Sequence, residues 1–167
     1  MYFVRTASAR DLDKIRALLI ETFHATYDPL YGAEKVEGLI ASLLSPAALK
    51  KRLEKKDSEF VVADDGKELG GIGYAALSDE TAKLAVLHML YVRPSAQRQG
   101  VGRDLFAELE TCFPDADRMR MDVEPENAAA IAFAEGLGFD QVGRNDNAGP
   151  KQSGLPALMF ERALASH

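Results

Sequence analysis

The stretch LHMLYVRPSAQRQGVGR, residues 87–103, decides the fold. Its first six residues, Leu87 to Val92, are rich in side chains that fit a pleated surface, and they predict a strand. Pro94 disfavours helical backbone at the residue before it and ends that strand. Gly100 and Gly102 then allow a close backbone approach at the start of a helix. The stretch therefore predicts a strand, a glycine-containing loop and a helix N-terminus in succession.

The helix that follows this loop predicts an anion site. Apolar residues at Val101, Leu105 and Leu109 recur at helical spacing, so the helix begins at the loop. Unbonded amides at a helix N-terminus, with Arg98 and Arg103 nearby, favour a phosphate group. Neither common nucleotide loop fits, because a Walker loop requires Lys-Ser/Thr after its second glycine and a dinucleotide loop requires a third glycine.

The pattern that is present resembles the acetyl-CoA-binding core of the GCN5-related N-acetyltransferase (GNAT) family. It reads Gln97-x-x-Gly100-x-Gly102, after a strand that ends Leu-Tyr-Val-x-Pro. A second stretch, residues 127–139, resembles the family motif Asn-x-x-Ala-x-x-Phe-Tyr-x-x-x-Gly-Phe. The resemblance implies an α/β GNAT fold, with a single mixed central sheet flanked by helices. It also implies one GNAT N-acetyltransferase domain over residues 1–167.

The chain as a whole reads as strand, two or three helices, three strands, helix, strand, helix and two strands. The first helix is expected to begin at a capping box, Ser8–Asp11, and to run to about Tyr27, where Asp28-Pro29 breaks it. Glycines inside the strand Leu69–Leu77 predict a bulge or a close backbone approach. A short helix after Pro46 is expected to expose a basic, solvated face. That face comprises Lys50, Lys51, Arg52, Lys55 and Lys56.

Composition excludes several classes of function. The formal net charge of −6 disfavours a nucleic-acid or anionic-membrane partner. One cysteine, Cys112, excludes an internal disulfide and a cysteine-based metal site, and its helical position predicts a small core residue. No signal peptide or membrane-spanning run is recognisable, so we expect a cytoplasmic protein without a membrane partner.

The resemblance implies a set of coenzyme-binding positions in the loop, in the strand before it and in the second motif: Leu90, Tyr91, Val92, Arg98, Gln99, Gly100, Val101, Gly102, Arg103, Asn127 and Phe133. In the family, the loop amides hold the pyrophosphate of coenzyme A and the strand lies along its pantetheine arm. Asn127 and Phe133 match positions that line this arm. Helix capping by Asn127 and core packing by Phe133 are alternative or additional roles.

The catalytic groups are less well defined than the coenzyme site. Ala134 stands where the family usually has a tyrosine that protonates the departing sulfur. Tyr74 and Tyr91 are candidate substitutes for that hydroxyl. His88 lies on the strand before the loop and is the candidate general base, since a histidine near its ordinary pKa accepts a proton at neutral pH. A hydrogen-bonded packing role for His88 is the alternative.

We expect an acetyl-CoA-dependent N-acetyltransferase that acts on a primary amine of a small molecule or a protein. Glu21, His24, Tyr27 and Tyr31 fall in a region that lines the acceptor site in the family, although they also suit an ordinary polar surface. Glu21–Tyr27 resembles the first helix of PaiA-type polyamine acetyltransferases. We expect no metal ion in the site. Many members of the family form dimers, so the resemblance is compatible with a homodimer. The alternative function is a coenzyme-A-binding module or sensor with little transferase activity.

Overall fold

The computed structural model describes residues 1–146 and 155–164. Within them, seven strands form one mixed sheet in the order β1-β2-β3-β4-β5-β7-β6, flanked by five α-helices. The order of elements agrees with the sequence prediction. Three helices, rather than two, lie between the first and second strands. None of the helices in these ranges is long and apolar enough to span a bilayer. In chain order the elements are β1 (Phe3–Thr6), α1 (Leu12–Tyr31), α2 (Ala33–Leu43), α3 (Pro46–Glu54), β2 (Ser58–Asp64), β3 (Leu69–Leu77), β4 (Leu84–Val92), α4 (Val101–Glu110), β5 (Arg118–Val123), α5 (Ala128–Gly136), β6 (Asp140–Asn145) and β7 (Ala157–Ala163).

The chain divides into two compact units. The first contains Met1–Ala75 and Met89–Cys112, and the second contains Ala76–His88 with the described part of Phe113–His167. Strand β4 passes from the second unit into the first. The single domain over residues 1–167 stays a prediction.

In the first unit, helix α4 packs against β1 and β2, while α1 packs against α2 and α3. The buried face of α1 includes Ile15, Leu18 and Leu19. The close backbone approach predicted in β3 is confirmed at Gly71. A Cβ atom built there would lie 3.0 Å from Leu105 Cδ1 of α4 and 3.0 Å from the Tyr91 carbonyl oxygen of β4. Only a glycine leaves room for this contact.

The predicted end of α1 is wrong, because the helix continues past Pro29 to Tyr31. A proline removes one helical hydrogen bond and crowds the preceding turn. Here the Tyr27 and Tyr31 rings stack across the last turn, and the Gly32 amide donates to the Asp28 carbonyl at 2.9 Å. Gly32, with φ of +86°, ends the helix and leads directly into α2. A glycine rather than the proline therefore terminates α1.

The predicted capping box is confirmed, and it belongs to a partly buried ion-pair network. The Ser8 amide donates to the Asp11 carboxylate at 2.8 Å, in a short 3₁₀ turn before α1. Arg5 of β1 donates two hydrogen bonds to the same carboxylate, each at 2.9 Å, and also contacts Asp64 of β2. The Arg5 guanidinium, followed by the Ser8 amide, holds the pKa of Asp11 well below its usual value against the opposing effect of burial. This network fixes the start of α1 on the first two strands.

Cys112 lies just beyond α4 and is half-buried rather than a core residue. Its thiol donates to the Glu108 carbonyl at 3.2 Å. Burial raises the pKa of the thiol, and the nearby carboxylates of Glu59 and Glu108 raise it further.

In the second unit, β4 begins parallel to β5, with Leu84 opposite Arg118 and Val86 opposite Arg120. Strand β5 pairs antiparallel with β7, which pairs antiparallel with β6. Strand β6 starts at Asp140, directly after Phe139, which is buried in the core. Residues 145–154 are rich in Asn, Gly, Pro and Ser, a composition that predicts a loop, and most of them fall outside the described residues, as does the terminal His167.

Candidate active site

Strand β4 presents different residues to its two sides. Leu87 and Met89 are buried, whereas His88 between them is exposed, because successive side chains of a strand point to opposite faces. Further along, Leu90 Cδ1 lies 3.5 Å from a Cβ built at Gly73 of β3, and the Tyr91 ring lies against Phe23 of α1. The predicted base, His88, is therefore accessible to solvent.

The loop after β4 is tied back to the strand that it leaves. The Gln97 amide group donates to the Val92 carbonyl at 3.2 Å, across a 3₁₀ turn at Pro94–Ala96. Arg93 forms ion pairs with Glu68 at 3.1 Å and with Glu21 of α1 at 3.5 Å. No local sequence pattern distinguishes Arg93, since its two partners lie on separate elements far from it in the chain.

The backbone of the loop turns sharply before α4. Arg98 has φ of +65° and Gly100 has φ of +79°, so two nearby residues adopt the left-handed conformation that L side chains rarely take. The Asp104 amide donates to the Gly100 carbonyl at 3.0 Å, which makes it an early bond of α4. Amides in the first turn before it have no partner within a helix and are suited to an anionic ligand.

Space is open where a phosphate group would approach. A Cβ built at Gly100 meets no atom within 4 Å, and Arg98, Gln99 and Arg103 are exposed beside it. Val101 and Gly102 are buried and anchor the helix end. The loop therefore combines open space at Gly100 with two exposed cationic side chains, an arrangement suited to an anionic group.

A cluster of aromatic rings joins α1 to β4. Phe23 lies between Tyr27 and Tyr91, with ring centroids 5.2 Å from each. The hydroxyl oxygens of Tyr27 and Tyr91 are 2.7 Å apart and share a hydrogen bond. Tyr31 stacks on Tyr27 with a centroid distance of 5.9 Å and an interplanar angle of 21°. Tyr27 and Tyr31, both predicted for the acceptor region, are thus brought together with Tyr91, which was predicted for the coenzyme.

His24 bridges α1 and α2. Its Nδ1 lies 2.9 Å from the Asp28 carboxylate, and its Nε2 lies 2.7 Å from Glu37 Oε1. Carboxylate oxygens only accept hydrogen bonds, so both ring nitrogens must donate and the imidazole is protonated in this arrangement. The pKa of His24 is accordingly raised, chiefly by Asp28 and further by Glu37. His24 is held as a cation by the protein's own carboxylates.

The prediction that Arg52 belongs to a solvated basic face is wrong. Its guanidinium is half-buried and donates to the Leu43 carbonyl at 2.8 Å. Burial lowers the pKa of Arg52, while electrostatic interaction with Tyr74 and Tyr91 raises it. The four lysines of that face are all exposed. The Arg52 side chain instead links α3 to the last residue of α2 and lies close enough to Tyr74 and Tyr91 to interact with them electrostatically.

The second motif forms the start of α5 in the second unit. The Asn127 side chain accepts a hydrogen bond from the Ala130 amide at 3.1 Å, so its predicted capping role is confirmed. Phe133 is half-buried, and Ala134 is fully buried with 0% of its surface exposed. Gly138, with φ of +87°, reverses the chain after the helix. The helix therefore offers no hydroxyl at the position where the family usually has one.

No metal centre emerges from the described ranges, where no group of three or more His, Cys, Asp and Glu side chains has a geometry suited to an ion.

Comparison with known proteins gives consistent matches. A model of the acetyltransferase (GNAT) domain family matches residues 27–149. The chain is 33% identical over 101 residues to the N-alpha-acetyltransferase RimI of Mycobacterium tuberculosis, a match over 59% of this chain. It spans 62% of the length of that relative.

Solved structures with the same fold cover nearly the whole chain. The PaiA N-acetyltransferase of Thermoplasma acidophilum, solved in complex with coenzyme A, matches with a TM-score of 0.84 and 22% identity, over 98% of this chain and 99% of that one. The ribosomal-protein-alanine N-acetyltransferase of Brucella melitensis matches with a TM-score of 0.75 and 22% identity, over 97% of this chain and 99% of that one. At these identities the two structures support the fold.

Proposed function

Since the chain belongs to the family of GNAT acetyltransferase domains, we propose that it transfers an acetyl group from acetyl-CoA to a primary amine. The observation that carries this proposal is the loop between β4 and α4. Arg98 and Gly100 turn its backbone sharply before α4, and the space around a Cβ built at Gly100 is empty within 4 Å. The coenzyme A named for the PaiA structure and the N-alpha-acetyltransferase activity named for RimI support the same reaction class.

The reaction requires no covalent intermediate on the protein. The amine nitrogen attacks the thioester carbonyl carbon, a C–N bond forms and the C–S bond breaks. The amine loses one proton to a base, and coenzyme A departs as a thiol or a thiolate. The protein must hold the thioester, provide a neutral amine and stabilise the oxyanion that develops.

The residues of this chain take the following roles in the proposal. Loop amides from Gln99 to Arg103 bind the pyrophosphate, and backbone groups from Leu90 to Val92 bind the pantetheine arm. His88, exposed on β4, accepts the amine proton. With Ala134 in place of a tyrosine, the sulfur leaves as a thiolate, since thiols are acidic enough to do so, as the ordinary pKa of about 8.5 for a cysteine side chain illustrates. A cytoplasmic location and a homodimer stay predictions.

One observation favours a second candidate function. Ala134 is buried and has no hydroxyl to protonate the sulfur, and loss of an acid commonly costs about 10²-fold or more in rate. A protein that binds coenzyme A without rapid turnover would tolerate this residue. The alternative is therefore a coenzyme-A-binding module that acts as a sensor.

The two functions are separated by measuring thiol release from acetyl-CoA. The amine panel contains spermidine, amino acids, an aminoglycoside and a lysine-containing peptide. Release that depends on one of these amines supports the transferase and identifies the acceptor class. A rise in melting temperature with acetyl-CoA, without release for any amine, favours the binding module. Absence of both responses contradicts the assignment of the loop as the coenzyme site.

The role of His88 is tested in the same assay. Substitution His88→Ala should lower kcat most near and above neutral pH, where a neutral imidazole can accept the amine proton, and less at low pH, where a histidine is protonated. It should leave the Kd for acetyl-CoA unchanged. A rate–pH profile identical to that of the unmodified protein would exclude His88 as the base.

A further inference from the structure

An arginine on strand β5 has a buried hydrogen-bond donor without an acceptor. The Nε atom of Arg120 is shielded from solvent and has no hydrogen-bond partner among the described residues. A buried donor that is left unpaired costs free energy, so such a group in a native protein calls for an explanation. A guanidinium is always charged and only donates, and an anionic oxygen is its best partner. Arg120 as a whole is half-buried, and a ligand carboxylate would supply the missing acceptor.

Two acidic side chains share this part of the sheet with Arg120, and neither satisfies its Nε atom. Glu161 of β7 lies directly opposite Arg120, but its carboxylate accepts a hydrogen bond from Arg118 at 2.8 Å. Asp122 lies two residues further along β5 and interacts with Arg120 through its charge. Desolvation raises the pKa of Asp122, and the positive charge of Arg120 opposes this effect only in part. The guanidinium therefore keeps a donor available for an anion from outside the chain.

Arg120 also lies beside the proposed base. The last pair in the parallel register of β4 and β5 is Val86 opposite Arg120, and both strands continue past it. Residues two apart on a strand face the same side, so His88 shares a face with Val86 and with Arg120. The buried side chains of Leu87 and Met121 mark the opposite face. For regular strands the Cα atoms of His88 and Arg120 would be about 8 Å apart, and both residues belong to the second unit. A small molecule bound beside His88 can therefore reach the guanidinium.

We infer that Arg120 binds a carboxylate of the acetyl acceptor, and that the acceptor is accordingly an amino acid rather than a simple amine. The inference rests on the proposed transferase function, in which His88 takes the proton of the amine. A guanidinium and a carboxylate form paired, charge-assisted hydrogen bonds, which fix direction as well as distance. A carboxylate held at Arg120 places the amine of the same molecule beside His88. A second ammonium group at this position would be repelled by the guanidinium, so a diamine gains nothing from the site.

The test compares ω-amino acids with n-alkylamines and linear diamines of the same carbon number. The readout is the ratio of kcat/KM for the amino acid to that for the monoamine. Arg120→Met, which keeps an unbranched side chain without the charge, should lower this ratio about 10-fold or more through a higher KM for the amino acid. Arg120→Lys keeps the charge without the planar fork and should lower the ratio less. Arg144→Met, which removes an exposed cation of the same unit, is the matched control and should leave the ratio unchanged.

A second readout does not depend on turnover. An n-alkanoate has the carboxylate but no amine, and its Kd is measured by calorimetric titration into the protein with bound coenzyme A. Arg120→Met should raise this Kd about 10-fold, and Arg144→Met should not change it. A ratio and a Kd for Arg120→Met that equal those of the unmodified protein would overturn the carboxylate site while leaving the transferase function intact, as would equal losses in Arg144→Met. Binding of coenzyme A without acetylation of any amine would instead contradict the proposed function, and this inference with it.

Discussion

Gly71 of β3 provides a direct test of how the coenzyme loop is supported. Its position faces both the start of α4 and the last part of β4. In Gly71→Ala, the new methyl group would lie 3.0 Å from Leu105 Cδ1, 3.0 Å from the Tyr91 carbonyl oxygen and 3.1 Å from Val101 Cγ1. Two of these atoms belong to buried side chains of α4 and the third to the backbone of β4. None of them is the free end of a flexible surface side chain, so the helix and the strand must separate.

The expected cost follows from two opposing terms. Inserting a methyl group into a well-packed core typically destabilises a protein by about 1–3 kcal/mol. Replacing glycine by alanine also restricts the unfolded chain, which returns about 0.4–1 kcal/mol. The net result for Gly71→Ala should be a loss of about 1–2 kcal/mol in the free energy of unfolding. With an m-value of about 2 kcal/mol/M, the urea midpoint should fall by about 0.5–1 M.

Gly38, inside α2, is the matched control. A Cβ built at Gly38 meets no atom within 4 Å, so alanine there adds no contact and only improves helix propensity. Gly38→Ala should therefore stabilise the protein by about 0.5–1 kcal/mol. Urea unfolding followed by circular dichroism measures both variants. A midpoint for Gly71→Ala equal to or above that of the unmodified protein would refute the close-packing argument, as would shifts of the same sign in both variants.

Three further outcomes are expected. Gly102→Glu should abolish the rise in melting temperature on adding coenzyme A, because a carboxylate enters the anion site; the melting temperature without ligand controls for misfolding. The raised pKa of His24 means that its bridge stabilises the fold fully below about pH 6.5 and less as the pH rises through the folded-state pKa. The stability difference between the unmodified protein and His24→Gln should accordingly shrink with increasing pH, and a constant difference would contradict the bridge. For Asp11, whose pKa is lowered chiefly by Arg5, Asp11→Asn should cost about 2 kcal/mol at neutral pH. That cost should disappear in acid as the native carboxyl is protonated, which acid titration of both proteins measures.

The sequence predicted most of the elements because their signals are local. The Asn127 cap, the close approach at the β3 glycines and the helix after Gly100 all follow from residue types a few positions apart. The end of α1 was mispredicted for a reason that is not local to Pro29. A ring contact between Tyr27 and Tyr31, together with a left-handed Gly32, extends the helix by one turn.

Only the part of the candidate site that is formed by one continuous segment could be predicted from the sequence. The loop after β4 carries its whole pattern within a few residues, so its location could be inferred. The hydrogen bond between Tyr27 and Tyr91 joins residues 64 positions apart, and no periodicity connects them. Arg52 is surrounded in the sequence by exposed lysines, so residue type alone does not distinguish it from them. Its half-buried position depends on the Leu43 carbonyl that accepts its hydrogen bond, and the sequence does not place that carbonyl.

The half-buried thiol beyond α4 has a practical consequence for the transfer assay. Thiol reagents react with thiolates, so a cysteine whose pKa is raised by burial and nearby carboxylates reacts slowly at neutral pH. Cys112 is the sole cysteine of the chain. In the transfer assay the protein should therefore contribute at most one thiol per molecule, and this thiol should react slowly with the reagent. Its signal can be separated in time from that of the coenzyme A released by turnover. At higher pH the same thiol provides a single position for attaching a fluorescent or spin label.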